Sequence, residues 1–252
     1  MSTCSQKVRL VLAEKQLEFE SVILDLQSGA QFESGYLKLN PQGVVPTLVH
    51  QAQVVTESTL INEYLEDCYP EPSLLPKTAI ERYQLRAFCK QLDDHLHPAC
   101  GVITYAIGAR PGLLKKPEAE LAALIAQIPD EARRRHRAMV IQDGVHAPIF
   151  KTALAQYLQV LDFAEAQLAL RPFLAGTQLS LADYALTPYV LRLEQLALDK
   201  VMTRYPALAA WYQLIQQRDS YQIAINDWLP KVAVAGFKAA GEAVAAEITF
   251  PG

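Results

Sequence analysis

Asn40-Pro41-Gln42-Gly43-Val44-Val45-Pro46-Thr47-Leu48-Val49-His50-Gln51-Ala52-Gln53-Val54-Val55-Thr56-Glu57-Ser58 carries a turn, a hairpin and a helix start in immediate succession. Asn40 to Gly43 is turn chemistry. Thr47–His50 and Gln53–Thr56 are short β-rich runs that predict two strands of a hairpin across Gln51-Ala52. Ser58 predicts the N-cap of a helix over Thr59–Cys68, which stops before Tyr69-Pro70-Glu71-Pro72. Upstream, Lys7–Lys15 reads as a helix and Phe19–Leu26 alternates like a strand. A polar loop, Gln27–Gln31, leads into a short helical or irregular piece at Phe32–Leu39. The order is helix, strand, helical piece, strand, strand, helix, ending near Pro76.

Beyond Ala79 the strand signals cease. Leu85, Phe88, Leu92 and Leu96 recur at helical spacing on one face of a long helix. Further helices are predicted at Glu131–Ile141, Lys151–Ala169, Leu181–Gln195 and Ala207–Arg218. Ser180-Leu181-Ala182-Asp183 has capping-box spacing, and Pro188 predicts a kink without a break. The Ala/Val-rich tail, Val232 to Ala246, predicts one more packed helix. The two rhythms give an α/β domain over residues 1–76 and an all-α domain over 79–252 with an insert at about 110–146.

The 252 residues are 51% hydrophobic and 20% charged, enough for a large core. A net charge of −4 argues against nucleic acid as a partner. No apolar stretch suits a membrane span, and the N-terminus lacks the apolar core of a signal peptide. The cytoplasm is therefore the expected compartment. Cys4, Cys68, Cys89 and Cys100 show no metal-ligand spacing, so no metal is expected.

The chemistry-bearing segment is Ser2-Thr3-Cys4-Ser5-Gln6-Lys7-Val8-Arg9. It precedes the predicted first helix, whose free N–H groups and dipole favour an anion. A thiolate held there is stabilised, whether it belongs to Cys4 or to a bound thiol given a hydrogen bond by Ser2 or Ser5. A plain Ser cap beside an inert Cys fits the same residues.

Taken in order, Ser2-Thr3-Cys4-Ser5, Asn40-Pro41, Val45-Pro46 with the strand pair, Glu57-Ser58 and Leu181-Ala182-Asp183 resemble the soluble glutathione transferases, over roughly Ser2 to Arg218. The opening is similar to the zeta class. Val44 to Val49 and Ile103-Thr104-Tyr105 look like hydroquinone dehalogenases. Val54 to Thr59 and Glu63 to Asp67 look like β-etherases, and the insert from Arg110 to His146 is shared with this branch of look-alikes, which includes the ganglioside-induced differentiation-associated proteins. The resemblance implies a thioredoxin-like N-terminal domain plus a helical domain, glutathione as co-substrate, a small hydrophobic electrophile as partner, and a homodimer.

It also implies residue roles. A cis peptide before Pro46 would present the Val45 backbone to the cysteinyl unit of glutathione. Glu57 and Ser58 would hold the γ-glutamyl head, although a solvated Glu57 and a capping Ser58 need no ligand. Cys4, Ser2 and Ser5, in that order, are the candidates for handling the thiol. Cys4 implies thiol–disulfide exchange, as in reductive dehalogenation, whereas Ser2 implies direct conjugation. Family members carry Lys or Gln where this chain has Val44, and Gln42 is the expected substitute. They also place a strand ahead of the catalytic loop, which is expected from an upstream segment. A different class, a non-catalytic assembly module such as the gamma subunit of a translation elongation factor, shares the fold.

Two features remain open at this level. Arg133-Arg134-Arg135-His136-Arg137 reads as a solvated helix face, or as a clamp for an anionic or phenolate substrate carried by the insert, which replacement of Arg134 and Arg137 by Gln would test. His95, His97 and Tyr105 fall on the first long helix, where packing or surface positions are expected.

Overall fold

The structure, a computed structural model, describes residues 1–251. Helix α1 spans Thr3–Glu14, starting four residues ahead of the predicted Lys7. The reason is local: Ser2 is extended and its Oγ accepts the Ser5 N–H at 3.2 Å, so capping recruits Thr3, Cys4 and Ser5 into the first turn. Cys4 therefore lies within the helix rather than before it. Val8, Leu10, Val11 and Leu12 are buried, because α1 is covered on two sides by helices α3 (Ser58–Cys68) and α10 (Leu181–Gln195).

After a single turn at Ala30–Phe32 and a one-turn helix α2 (Ser34–Leu37), the chain tightens at Asn40. Its side chain accepts from the Gln42 N–H at 3.1 Å and donates to the Val44 carbonyl at 2.9 Å. Gly43 sits there at φ +58°, and a Cβ would strike the Phe32 ring at 2.7 Å. The Val45–Pro46 peptide is cis. Strands β1 (Thr47–His50) and β2 (Gln53–Thr56) pair antiparallel, with Thr47 opposite Thr56 and His50 opposite Gln53. Gln51 and Ala52 make the hairpin with positive φ, 50° and 63°. Glu57, at φ 67°, turns the chain into α3. Just beyond α3, the buried Lys15 ammonium pairs with Glu66 at 2.7 Å and donates to the Tyr69 and Pro72 carbonyls, fastening this exit to α1.

The predicted strand at Phe19–Leu26 is not formed. A strand needs a ladder partner, and among the described residues none runs beside this segment. Val22 and Ile23 are in solvent, while the Phe19 ring stacks on Trp228, 6.1 Å between centroids. The Arg9 guanidinium covers the same indole.

The remainder is helical, as the loss of strand signals predicts. A nearly continuous rod runs through α4 (Ala79–Gln91), a π-turn (Leu92–Leu96), α5 (His97–Thr104), a second π-turn (Tyr105–Ala109) and α6 (Arg110–Leu113). Leu85, Phe88, Leu92 and Leu96 are all buried, as their spacing requires. The insert folds as α7 (Glu118–Ala126) and α8 (Glu131–Asp143). Helix α9 (Pro148–Leu168) packs along α5, and α10 runs through the centre of the core without a break at Pro188. Helices α11 (Pro206–Gln216), α12 (Asp219–Tyr221) and α13 (Lys231–Val244) close the outside. Asp183 anchors the start of α10, accepting from Leu174 N–H (2.9 Å), Ser180 N–H and Oγ–H (2.8 and 2.7 Å) and Trp211 Nε1–H (2.9 Å). The tail helix α13 seats Phe237 over Gly108 and passes Gly241 across the Leu196 carbonyl.

Candidate active site

The first turn of α1 delivers Cys4 to one face and, three residues later, Lys7 to the same side. The α5 start supplies His97: its Nδ1 lies 3.5 Å and its Nε2 3.8 Å from the Cys4 sulfur. Lys7 is fully buried, bound to Asp93 at 3.0 Å and poised 5.2 Å from the Tyr189 ring centroid. Cys4 is half-buried, and part of the His97 residue reaches solvent.

Burial alone would raise the Cys4 pKa. The His97 imidazole, the Lys7 ammonium and the Ser58 hydroxyl outweigh it and bring the thiol down from 9.0 to about 6. Burial likewise opposes the positive charge on His97, but the Cys4 sulfur beside it holds the imidazole above its ordinary value. The two shifts describe one object, a thiolate–imidazolium pair. Burial also opposes charge on Lys7, and Cys4 and Asp93 keep it protonated with its pKa raised. The contrast with the other thiols is sharp: burial pushes Cys89 up to about 12, and Cys100 is raised for the same reason.

The structure thus joins Cys4 and Ser58, two residues far apart in sequence, at one site. Ser2 and Ser5 share the same helical turn, but the Ser2 hydroxyl is engaged as the cap of α1. Ser58 is the first residue of α3 and not its cap; Glu57 occupies the cap position and makes no side-chain bond there. The leading N–H groups of α3 are consequently left without a side-chain cap. Glu57 is exposed, and its positive φ is uncommon for a non-glycine residue. The Gln42 side chain is exposed, while its carbonyl accepts from Arg133 on α8 at 3.0 Å.

Two partners of the sulfur escaped sequence reasoning. Lys7 was legible in principle, since three residues after a helical Cys is one face of the helix. His97, expected to be packing or surface, reaches Cys4 only through the docking of α5 on α1, and no local pattern announces that. His95 is exposed, and Tyr105 lies under the Arg137 guanidinium. Arg134, expected in an anion clamp, instead staples the α7–α8 loop through the Ile128 carbonyl at 3.1 Å. Two cavities, of about 480 and 170 Å³, flank the far end of α1, lined by Glu14, Arg218 and Ser220 and by Arg9, Phe19 and Trp228. They are remote from the sulfur and play no part in its chemistry.

A cis-Pro hairpin and a helix N-terminus beside a polarised thiol, backed by a helical half, mark a thioredoxin-like domain joined to a helical one. The glutathione S-transferase N-terminal domain model matches residues 1–68 and the C-terminal domain model residues 130–219. The chain is 31% identical to protein LigF of Sphingobium sp. strain SYK-6, over 85% of this chain and 86% of that protein. It is also 31% identical to glutathione S-transferase 3 of Zea mays, with 86% of each chain covered. A probable maleylacetoacetate isomerase of Vibrio cholerae is 28% identical, over 82% of this chain and 83% of its own length. The crystal structure of β-etherase LigF superposes with a TM-score of 0.81 at 28% identity, covering 89% of this chain and 95% of that one. The chain belongs to the glutathione S-transferase family.

Proposed function

We propose that the protein transfers the glutathione thiolate to a small hydrophobic electrophile, with Cys4 as the second sulfur nucleophile of the site. The observation that carries this reading is the Lys7 and His97 charges, strong enough to hold the Cys4 pKa at about 6, set beside the uncapped start of α3. Glutathione would lie between cis Val45–Pro46, whose backbone offers an added-strand pairing, and the free N-terminus of α3, which suits its γ-glutamyl carboxylate. Glu57 would accept from its ammonium group, and Gln42 would approach the glycyl end. The Lys7 and His97 charges that stabilise Cys4 would equally lower the pKa of a neighbouring glutathione thiol.

In the first step, the glutathione sulfur forms a bond to the electrophilic carbon, and the leaving group departs with its electron pair. The ionised state of Cys4 favours a second reading, a reductive step that follows. The Cys4 thiolate attacks the sulfur of the thioether conjugate, a sulfur–sulfur bond forms, and the carbon keeps the electron pair of its broken bond. That carbon takes a proton from the His97 imidazolium. A second glutathione thiolate then displaces Cys4, leaving glutathione disulfide. The β-etherase and isomerase names among the relatives support glutathione chemistry at carbon centres of this type. A homodimer and a cytoplasmic setting belong to the same reading.

The experiment is calorimetric titration of glutathione into the folded chain, followed by turnover of a chloronitroarene and a chlorohydroquinone by wild type, Cys4→Ser and Ser2→Ala. Saturable binding and conjugation by wild type are expected. Cys4→Ser should keep conjugation and lose release of the reduced arene with glutathione disulfide. Failure of the folded chain to bind glutathione would leave the assembly module as the better reading.

A further inference from the structure

His97, Gly101 and Tyr105 stand four residues apart, so they share one face of α5 and its continuation over a span of about 12 Å. The opposite face, with Ala99, Cys100 and Ile103, is buried in the core. The exposed face has chemistry at both ends and a vacancy between. At one end His97 meets Cys4. In the middle, a Cβ built on Gly101 would meet nothing within 4 Å. At the other end the Arg137 guanidinium lies over the Tyr105 ring.

Arg137 is half-buried, leans on the Tyr105 side chain for its one polar partner and, among the described residues, makes no ion pair with a carboxylate. Arg133, one turn earlier on the same face of α8, is also half-buried. It spends one N–H on the Gln42 carbonyl at 3.0 Å, three residues before Val45. The nearest acid, Asp130, is committed to capping the Arg133 backbone N–H at 2.6 Å. The Asp130 charge still favours the Arg133 guanidinium, but no carboxylate pairs with Arg137; the two guanidinium groups, partly withdrawn from water, repel each other, and an anion between them removes that repulsion. Their planar forks match a carboxylate in particular.

We propose that Arg133 and Arg137 form a subsite for a carboxylate on the electrophilic substrate, with the body of that substrate crossing the Gly101 gap toward Cys4. The role of the far end rests on the reading of Cys4 given above; the anion subsite does not. The substrate class is thus an aromatic or linear acceptor whose carboxylate stands about two helical turns from the carbon attacked. Tyr105 acts as a positioning residue, holding Arg137 flat beneath the incoming anion.

The test is equilibrium binding of an unreactive probe, N-(para-nitrobenzoyl)-γ-aminobutyrate, against its methyl ester, measured calorimetrically on the full chain. Wild type should bind the carboxylate about ten-fold more tightly than the ester, the scale of one charge-assisted contact. Arg137→Gln should abolish that preference and Arg137→Lys should restore part of it. Gly101→Leu should weaken both probes by about ten-fold through occlusion, with no loss of thermal stability, since its side chain enters open space. Equal affinity of wild type for the two probes, or binding of neither, would overturn the subsite. Carboxylate preference in a chain that does not bind glutathione would overturn the proposed function and leave the subsite standing. Glutathione binding without carboxylate preference does the reverse.

Discussion

Cys4 owes its chemistry to neighbours contributed by three different helices, and each neighbour can be removed separately. With its pKa at about 6 and an unfolded value of 9.0, the thiol is ionised between these two values only in the folded chain. The sign follows: the stabilisation contributed by the thiolate is complete above 9.0 and is lost as pH falls through about 6. The rate of alkylation by iodoacetamide, or thiolate absorbance in the ultraviolet, should therefore show a midpoint near 6 that Cys4→Ser eliminates. His97→Ala should move that midpoint upward, and buried Cys89 and Cys100 should stay silent throughout. At this scale the sequence was informative about Cys4 and Ser58 because both stand at helix starts, where local rules apply. It was uninformative about His97, since its distance from Cys4 depends on how two helices dock.

Single elements show the same division. The hairpin β1–β2 is local structure and was legible to the residue, down to the two turn positions Gln51 and Ala52, whereas helix α3 was read one residue short, with Ser58 taken for the cap that Glu57 occupies. Phe19–Leu26 was misread because alternation measures only suitability for a strand, and the ladder partner is a tertiary matter. The start of α1 was misread because Thr3, Cys4 and Ser5 are poor helix formers held in place by the Ser2 cap. Helix α13 offers an element-scale test. A Cβ on Gly241 would lie 1.8 Å from the Leu196 carbonyl oxygen, a backbone atom with nowhere to move. Gly241→Ala should lift α13 off the body and cost about 2 kcal/mol, read as a lower urea midpoint together with faster proteolysis within the tail.

For the whole molecule, the question is what makes the α/β part and the helical part behave as one. Helix α1 answers it, since it packs on α3 and α10 at once. Its C-terminal end adds polar fastenings on both sides: Lys15 to Glu66 and the chain after α3, and Glu14 to Arg218 and the Tyr184 hydroxyl. Lys15→Met should strand the Glu66 carboxylate in a buried position, a loss of about 3–5 kcal/mol. For a chain of this size that is about 10 °C in Tm, measurable by calorimetry, and one transition should persist. The alternation of rhythms predicted both parts, but their fastening residues lie too far apart in sequence to be paired by inspection. Both tryptophans belong to the helical part, but only one of them touches this divide. Trp211 is locked to the Asp183 carboxylate inside the helical core, whereas Trp228 is clasped by Phe19 and Arg9 from the other part. The chain therefore carries built-in optical reporters, and a Trp211→Phe variant would leave a lone fluorophore whose colour follows the embrace of the two parts as they separate.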